Sequence, residues 1–458
     1  MTPTAVDQHD LQGNILAGYP FGRGVFVFVR FPGPAEGRRW LGGMVERITT
    51  AVPWGTPPAS TLNVALSFDG LRALRIPEAV LETFPREFKL GMAERAERLW
   101  DVGPNAPGRW EPGLRPGEPH ALVTCYAADD ETLTAQREAL RAEAEAAGLR
   151  VVHELATGVL EQHGRKSVVF EHFGFADGLA QPEFEASPQH DPGAKVGPYP
   201  RAGRGTPTRR GWKGLAPGEF VLGYPDEAGQ VIEKPEKLFR SGSYMVVRKL
   251  QQNVALFHRY FLEAAGGDPE RARWLEAKVV GRWHDGTPLV TSPDGPAAER
   301  DPNEPPENDF KYEDDPDGRR CPIGSHIRRS NPRDGLGFGG RLTSRHRIIR
   351  RGMPYGPAAE DPLVDDGRDR GLMFVCYQAS IARQFELIQG RWIMDGDAFG
   401  LGADQDFLLG IDDPRGKLTI EGSPPEFVGP QRTFVINRGG GYFFVPGIAA
   451  LKLVALQD

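Results

Sequence analysis

The sequence carries a faint internal repeat, and this repeat constrains the fold more than any other feature. Residues 25–30 have the pattern of a β-strand followed by a helix, and residues 243–248 begin the same order again. A second strand and helix recur at residues 120–147 and 372–392. Because a chain of 458 residues is long for a single hydrophobic core, the repeat predicts two related domains.

Neither half shows the regular strand–helix–strand rhythm of a doubly wound parallel sheet. The pattern instead predicts an α+β fold with two related antiparallel sheets flanked by helices. We place the N-terminal domain at residues 1–185, a Pro- and Gly-rich linker at 186–218 and the C-terminal domain at 219–458. The two strand–helix units lie farther apart in the C-terminal half than in the N-terminal half. An acidic, Pro-rich insertion at about residues 282–320 accounts for the extra residues.

The overall composition excludes several classes of protein. A net charge of −7 disfavours a general nucleic-acid surface, which is normally basic. No apolar stretch approaches the roughly 20 residues that a membrane helix needs, and the N-terminus lacks the pattern of a secretory signal. The three cysteines are isolated, which excludes a disulfide framework and a Cys-rich metal site. These features predict a cytoplasmic protein.

Two polar residues, Asp177 and His326, lie in sequence contexts that make them candidate functional residues. Asp177 is a lone carboxylate within Gly-Phe-Ala-Asp-Gly at residues 174–178, and His326 is a lone imidazole at the start of an arginine-rich stretch. A second arginine-rich segment, Ile-Ile-Arg-Arg-Gly-Met-Pro, follows at residues 348–354. Taken alone, Asp-Gly is typical of a tight turn, and a lone histidine is more often structural than a ligand.

Together and in this order, these segments resemble the dye-decolorizing peroxidases, a family of haem enzymes. The resemblance begins at Asp10–Leu16 and continues through residues 371–378, so it spans nearly the whole chain. It implies duplicated ferredoxin-like domains, with the haem held mainly by the C-terminal half. It also implies one non-covalent haem b per chain, and the absence of a CxxCH motif agrees with non-covalent attachment.

The ten histidines differ in their surroundings. Those in polar segments, including His284 and His346, are expected at the surface. His258 and others in helix or strand patterns are expected to have structural roles. His326 is distinguished by its flanking sequence, and the resemblance makes it the expected axial ligand of the haem iron, for which imidazole is a common donor.

The resemblance also implies a carboxylate partner for His326. A carboxylate that accepts a hydrogen bond from the second ring nitrogen makes the ligating nitrogen more basic. Asp406 is the candidate for this partner, because it precedes a short apolar element late in the chain. Asp404, Asp397 and Glu386 remain alternatives.

On the opposite face of the haem, the resemblance implies an acid–base residue and a cation. Asp177 is expected to take a proton from one peroxide oxygen and deliver it to the other. Arg350 is expected to stabilise negative charge on the departing oxygen, with the adjacent Arg351 as the alternative.

Three further residues are expected around the haem. Leu372 and Phe374 share one face of a strand, since side chains two positions apart point the same way. They are expected to form an apolar wall over the haem. Arg333 is expected to clamp a haem propionate, and the wider arginine-rich segment 341–351 could also bind anions.

The resemblance implies a peroxidase that reduces H2O2 and oxidises bulky phenolic or dye-like electron donors through a ferryl intermediate. Another haem reaction, such as oxygenation or peroxide removal, is one alternative. A second is haem binding for transport or iron release with little turnover. Asp177 and Arg350 favour catalysis, because simple haem carriage needs neither a proton acceptor nor a distal cation. No motif identifies the physiological donor or the oligomeric state.

Overall fold

The computed structural model describes residues 6–160, 169–182, 206–208, 211–232, 236–296 and 306–456. Most of the predicted linker at 186–218 therefore lies outside the described residues, as does part of the predicted insertion at 282–320. Within the described ranges, no helix is both long enough and apolar enough to span a membrane.

The described strands, in chain order, are β1 (Arg23–Arg30), β2 (Ser60–Leu66), β3 (Ala121–Ala127), β4 (Arg150–Gly158), β5 (Val169–Phe170), β6 (Ala176–Asp177), β7 (Thr206–Thr208), β8 (Gly211–Lys213), β9 (Ser243–Gln252), β10 (Ile349–Arg350), β11 (Met353–Tyr355), β12 (Gly371–Gln378), β13 (Leu418–Ile420), β14 (Glu426–Val428) and β15 (Val435–Val445). The described α-helices are α1 (Gly13–Leu16), α2 (Pro34–Val45), α3 (Phe68–Ala73), α4 (Glu78–Leu81), α5 (Arg86–Leu90), α6 (Ala96–Leu99), α7 (Asp130–Ala146), α8 (Glu236–Phe239), α9 (Val254–Ala264), α10 (Pro269–Val280), α11 (His326–Ser330), α12 (Arg341–Ser344), α13 (Phe385–Leu387) and α14 (Ile448–Leu456). A π-helical segment covers Ile388–Ile393, and short 3₁₀ turns cover Ala93–Arg95, Gly103–Asn105, Pro107–Arg109, Pro217–Glu219, Phe338–Gly340 and Gly396–Phe399.

Nine strands form one antiparallel sheet in the order β10-β12-β9-β15-β2-β3-β1-β4, with β11 also paired to β12. In the N-terminal half, β1 lies between β3 and β4, and β2 flanks β3. In the C-terminal half, β9 lies between β12 and β15, and β10 flanks β12. Each half thus has the strand order of a ferredoxin-like unit, with helices following its first and third strands. The predicted α+β fold with antiparallel pairing is confirmed.

The two halves meet edge to edge in one sheet, whereas the sequence predicted two sheets. β15 pairs with β9 along most of its length and with β2 through Phe444 and Leu66. Both of these side chains are fully buried. Phe444 also packs against Phe84 of the N-terminal half and Phe239 of the C-terminal half. One apolar core therefore crosses the junction, and the two inner edges are covered by each other.

The helix that follows β3 forms as predicted, because its start is well capped. The side chain of Asp129 accepts a hydrogen bond from the backbone N–H of Thr132, and two acidic residues occupy the first turn. The helix predicted over residues 381–392 is different. It begins only at Phe385 and continues as the π-helical segment Ile388–Ile393.

Close packing against the N-terminal half explains this widened helix. A Cβ atom on Gly390 would lie only 2.3 Å from the carbonyl oxygen of Arg98, so the backbone of the segment runs directly against residue 98. Upstream, the Gln384 side chain donates to the carbonyls of Glu219 and Arg347. These long-range contacts fix the segment in a geometry that local helical periodicity does not indicate.

The sheet junction gives a test of stability. We expect Phe444→Ala to lower the free energy of unfolding by about 3–5 kcal/mol, because it removes a fully buried aromatic ring from both halves of the core. Phe427→Ala is the matched control: Phe427 is 58% exposed, so its loss should change stability by less than about 0.5 kcal/mol. Urea unfolding followed by circular dichroism measures both, and equal midpoints for the two variants would contradict the proposed shared core.

Candidate active site

A large cavity lies against the sheet of the C-terminal half. Strands β9 and β12 form one wall through Leu250, Leu372 and Phe374, and the start of α11 contributes His326 to the lining. The cavity has about 1860 Å³ of space between atoms, counting its open mouth. Among the residues predicted from the sequence, Asp177, Arg333 and Arg350 also line it.

His326 is held by a buried carboxylate. Its Nδ1 lies 3.0 Å from Oδ2 of Asp406, a residue with no exposed surface. The second oxygen of Asp406 accepts hydrogen bonds from the backbone N–H groups of Leu408 and Leu409, each at 2.9 Å. The carboxylate is therefore fixed on both sides, which fixes the orientation of the imidazole ring.

The charge on Asp406 decides which nitrogen of His326 is free. Burial acts to raise the pKa of Asp406, but the neighbouring His326 and Arg329 outweigh burial, so the pKa lies below its ordinary value. An ionised carboxylate can only accept a hydrogen bond, so Nδ1 of His326 carries the proton and donates it. The Nε2 lone pair is left available to bind a metal.

The other carboxylates considered as partners of His326 are engaged elsewhere. Asp404 pairs with Lys417 at 3.0 Å. Asp397 lies in the exposed turn Gly396–Phe399, and Glu386 is buried in ion pairs with Arg95 and Arg98. Only Asp406, of the four, contacts the imidazole.

Asp177 ends the second strand of a tight hairpin, whose turn lies at residues 171–175 and therefore precedes the Asp-Gly pair. Strands β5 and β6 pair, and the carboxylate of Glu171 accepts hydrogen bonds from the backbone N–H groups of Phe173 and Phe175, both at 2.9 Å. Gly174 and Gly178 adopt φ values of 85° and 79°, which glycine reaches without a steric penalty. The turn precedes Asp177, and the hairpin brings Asp177 to the cavity.

Arg350 forms an ion pair with Asp177. Its Nη1 donates to Oδ1 of Asp177 at 2.9 Å, and the backbone N–H of Gly178 donates to the same oxygen. Burial acts to raise the pKa of Asp177, but the Arg350 charge and these hydrogen bonds hold it below its ordinary value. Both side chains are half-buried, so Asp177 is ionised and still faces the cavity.

Arg351 points away from the cavity. Its guanidinium donates to the backbone carbonyls of Asn14 and Leu16, at 3.1 and 3.2 Å, in the N-terminal segment. Arg350 ends β10 and lines the cavity, whereas Arg351 lies just beyond the strand. Of the two adjacent arginines, the structure brings only Arg350 to Asp177.

Arg333 is a buried part of the cavity wall. Its guanidinium donates to the backbone carbonyls of Asn308 and Phe310 and lies 3.8 Å from the centroid of the Phe310 ring. These contacts hold the group rigidly, and its role toward a propionate remains a prediction.

Arg347 was not singled out from the sequence, although it lies within the arginine-rich segment 341–351. It lines the cavity and donates to the carbonyl of Ala180 at 3.0 Å. Burial, together with the nearby charges of Arg333 and Arg350, lowers the pKa of Arg347 to about 9. Three guanidinium groups therefore converge on one part of the cavity, and an anion there would relieve their mutual repulsion. Arginine content alone could not indicate which member of the run turns inward.

His284 and His346, which the sequence predicts at the surface, are both half-buried. His284 stacks on Phe175 with the ring centroids 4.1 Å apart, and its Nε2 lies 3.0 Å from the buried Glu276. His346 packs edge-on against Trp392. Both lie in polar stretches of sequence, but their partners come from distant parts of the chain. His284 in particular supports the hairpin that carries Asp177.

The chain matches a family model, and it matches several known proteins along nearly its whole length. A family model described as Dyp-type peroxidase, C-terminal, matches residues 224–399. The chain is 31% identical to the multifunctional dye peroxidase of an Amycolatopsis strain, over 97% of this chain and 95% of that protein. It is 29% identical to a dye-decolorizing peroxidase of Mycetinis scorodonius, over 97% of this chain and 87% of that protein. A solved dye-decolorizing peroxidase in complex with 2,6-dimethoxyphenol matches at a TM-score of 0.79 and 28% identity, covering 98% of this chain and all of that one.

The ion pair predicts how Asp177 responds to loss of its partner. In Arg350→Leu, we expect the pKa of Asp177 to rise above its ordinary value, because the effect of burial remains while the main opposing charge is removed. Titration of ¹³C-labelled aspartate carboxyl groups by NMR measures this change. Arg351→Leu removes an adjacent charge that does not contact Asp177 and should leave its pKa unchanged. The same pKa in both variants would show that Arg350 does not control the carboxylate.

Proposed function

The chain belongs to the dye-decolorizing peroxidase family, and we propose that it reduces hydrogen peroxide at a bound haem while oxidising phenolic or dye-like electron donors. One observation carries this proposal: the Asp177–Arg350 ion pair lines the same cavity as His326, whose Nδ1 is occupied by Asp406. A donor to iron, a proton acceptor and a fixed cation therefore share one site.

The chemistry of the cavity suits one non-covalent haem b. His326 offers Nε2 to the iron, and Leu372 and Phe374 offer apolar surface to the porphyrin. Arg333 and Arg347 provide positive charge for the propionates. The three cysteines are buried, and none is among the described residues that line the cavity, which agrees with non-covalent binding.

Bound haem would supply the redox-active iron at which peroxide is reduced. Asp177 is ionised and can take a proton from one peroxide oxygen and return it to the departing oxygen. Arg350 stabilises the negative charge that develops there without needing to move, because Asp177 already holds it in place. Overall, one H2O2 and two phenols give two waters and two phenoxyl radicals.

Phenols and dyes are the donor classes that the relatives support. The solved relative was captured with 2,6-dimethoxyphenol, and the Amycolatopsis relative is named a multifunctional dye peroxidase. Haem carriage or iron release is the alternative function, and it does not account for the Asp177–Arg350 pair. We further propose a cytoplasmic location, as predicted from the sequence.

Ligation by His326 is the first test. We expect His326→Ala to lose most of its haem or its five-coordinate ferric spectrum, because the imidazole is the iron donor that the cavity offers. Haem content per chain and the visible spectrum measure this change. His346→Ala, which alters a half-buried histidine outside the cavity lining, should keep both. Full occupancy with an unchanged spectrum in His326→Ala would mean that another residue binds the iron.

Proton transfer by Asp177 is the second test. We expect Asp177→Asn to slow H2O2-dependent oxidation of 2,6-dimethoxyphenol by roughly 10² to 10⁴-fold, because an amide cannot accept the proton. A haem carrier would give little oxidation even in the wild-type protein, so the wild-type rate separates the two functions.

The pH dependence of the oxidation rate tests the same role of Asp177. A carboxylate with a lowered pKa is ionised above that pKa and loses its base function only as pH falls through it. Arg350 holds the pKa of Asp177 down, so the acid limb of the wild-type profile should lie below the ordinary aspartate value of about 3.9. We expect a dye-oxidation optimum at roughly pH 3–5.5. An optimum above pH 7 with haem retained would rule out Asp177 as the base.

A further inference from the structure

We propose that the cavity contains a binding subsite for neutral phenols, formed by the indole ring of Trp100 and the buried Arg248–Asp101 ion pair. This inference rests on the proposed peroxidase function and specifies where the donor binds. Three features support it. They are the exposed ring of Trp100, the hydrogen-bonding atoms of Arg248 and Asp101 that have no partner in the described part of the chain, and the local balance of charge.

Trp100 lies at an opening of the cavity. It is 39% exposed, and no other described lining residue is as exposed to solvent. It ends α6 with φ 59° and ψ 32°, in the left-handed region that bulky residues rarely adopt. A strained backbone of this kind persists where its surroundings enforce it, and such positions cluster at ligand sites. The ring offers a planar surface on which an aromatic donor can stack.

Arg248 and Asp101 form the cavity wall beside Trp100. Both are buried, with 4% and 2% of their surface exposed, and Nη2 of Arg248 donates to Oδ1 of Asp101. Within the part of the chain that the structure describes, Nε and Nη1 of Arg248 and Oδ2 of Asp101 have no hydrogen-bond partner. Buried donors and acceptors are normally satisfied, so these atoms point to a ligand. A phenol hydroxyl can donate and accept at once, which matches the pair.

Charge favours a neutral ligand at this position. Arg248 and Asp101 already neutralise each other, so a carboxylate bound to Arg248 would be repelled by Asp101. The cluster of Arg333, Arg347 and Arg350 is the part of the cavity better suited to an anion. Burial raises the pKa of Asp101 despite the Arg248 charge, which makes this carboxylate a stronger proton acceptor toward a phenol than an ordinary aspartate.

The sheet keeps this subsite apart from the Asp177–Arg350 pair. Arg350 lies on β10, which pairs with β12, and Phe374 of β12 lies opposite Arg248 of β9. Two strand spacings of about 4.8 Å separate β10 from β9, so the two arginines lie on strands roughly 10 Å apart. A phenol at Trp100 and Arg248 therefore lies against a different strand from the one that carries Arg350.

A matched pair of ligands tests the subsite without turnover. Isothermal titration calorimetry of the haem-loaded protein, without peroxide, compares 2,6-dimethoxyphenol with 1,2,3-trimethoxybenzene, which keeps the ring and lacks the hydroxyl. We expect the phenol to bind on the order of 10-fold more tightly or better, because the ether leaves the buried pair unsatisfied. In Asp101→Asn this preference should largely disappear.

Trp100→Gly tests the platform in a variant that should fold, because glycine adopts the required φ without strain. We expect both ligands to bind several-fold more weakly, since both lose the stacking surface. Phe338→Gly is the matched control: Phe338 is 75% exposed, also has a positive φ of 52°, and is not among the residues lining the cavity. It should leave both affinities unchanged.

The outcomes separate this inference from the proposed function. Equal binding of phenol and ether by the wild-type protein, or unchanged binding in Trp100→Gly, would overturn the subsite while peroxide-dependent dye oxidation stands. Loss of haem from Asp101→Asn, with the His326 ligand intact, would mean that the Arg248–Asp101 pair holds the haem, and would also overturn it. Selective phenol binding without any peroxide-dependent oxidation would retain the subsite and refute the peroxidase.

Discussion

The ion pair between Asp177 and Arg350 joins the β5–β6 hairpin to β10, an edge strand of the C-terminal half. The cavity exists as a chemical site only because this contact forms. Without Arg350, burial would favour a neutral Asp177, and without Asp177 the guanidinium would lose the carboxylate of its ion pair. The joined sheet, with Phe444 at its centre, provides the rigid frame that keeps the two residues in register.

Sequence patterns predict the parts of this molecule that depend on local order. The repeat of strands and helices predicts two related halves with antiparallel strands, and the family resemblance implies their ferredoxin-like form. The motifs around Asp177 and His326 identify residues that the fold brings to one cavity. The sequence favours Asp406 as the carboxylate partner of His326 but leaves three alternatives open, because the contact joins residues 80 positions apart. The sequence likewise cannot show that the side chain of Arg347 lines the cavity, because this depends on how the neighbouring strand β10 pairs with β12.

Where the prediction failed, distant partners decided the outcome. His284 lies in a polar stretch, yet contacts with the buried Glu276 and the ring of Phe175 leave it half-buried. The helix predicted over residues 381–392 has good helical periodicity, but its backbone must fit against the carbonyl of Arg98. Neither partner can be identified from the neighbouring sequence. Such contacts lie beside the cavity, where function constrains the chain more than local propensity does.

The positions of the side chains in and after the π-helical segment Ile388–Ile393 depend on the number of residues in that segment. Ile388, Gln389 and Ile393 all line the cavity, and the carbonyl of Ile393 accepts a hydrogen bond from the backbone N–H of Asp406. Removing one residue would return the turn to ordinary α-helical winding and rotate the following side chains by about 100°. The cavity wall and the Ile393 carbonyl, which binds the backbone of Asp406, would shift together. Insertions and deletions should therefore be tolerated far less here than amino-acid substitutions.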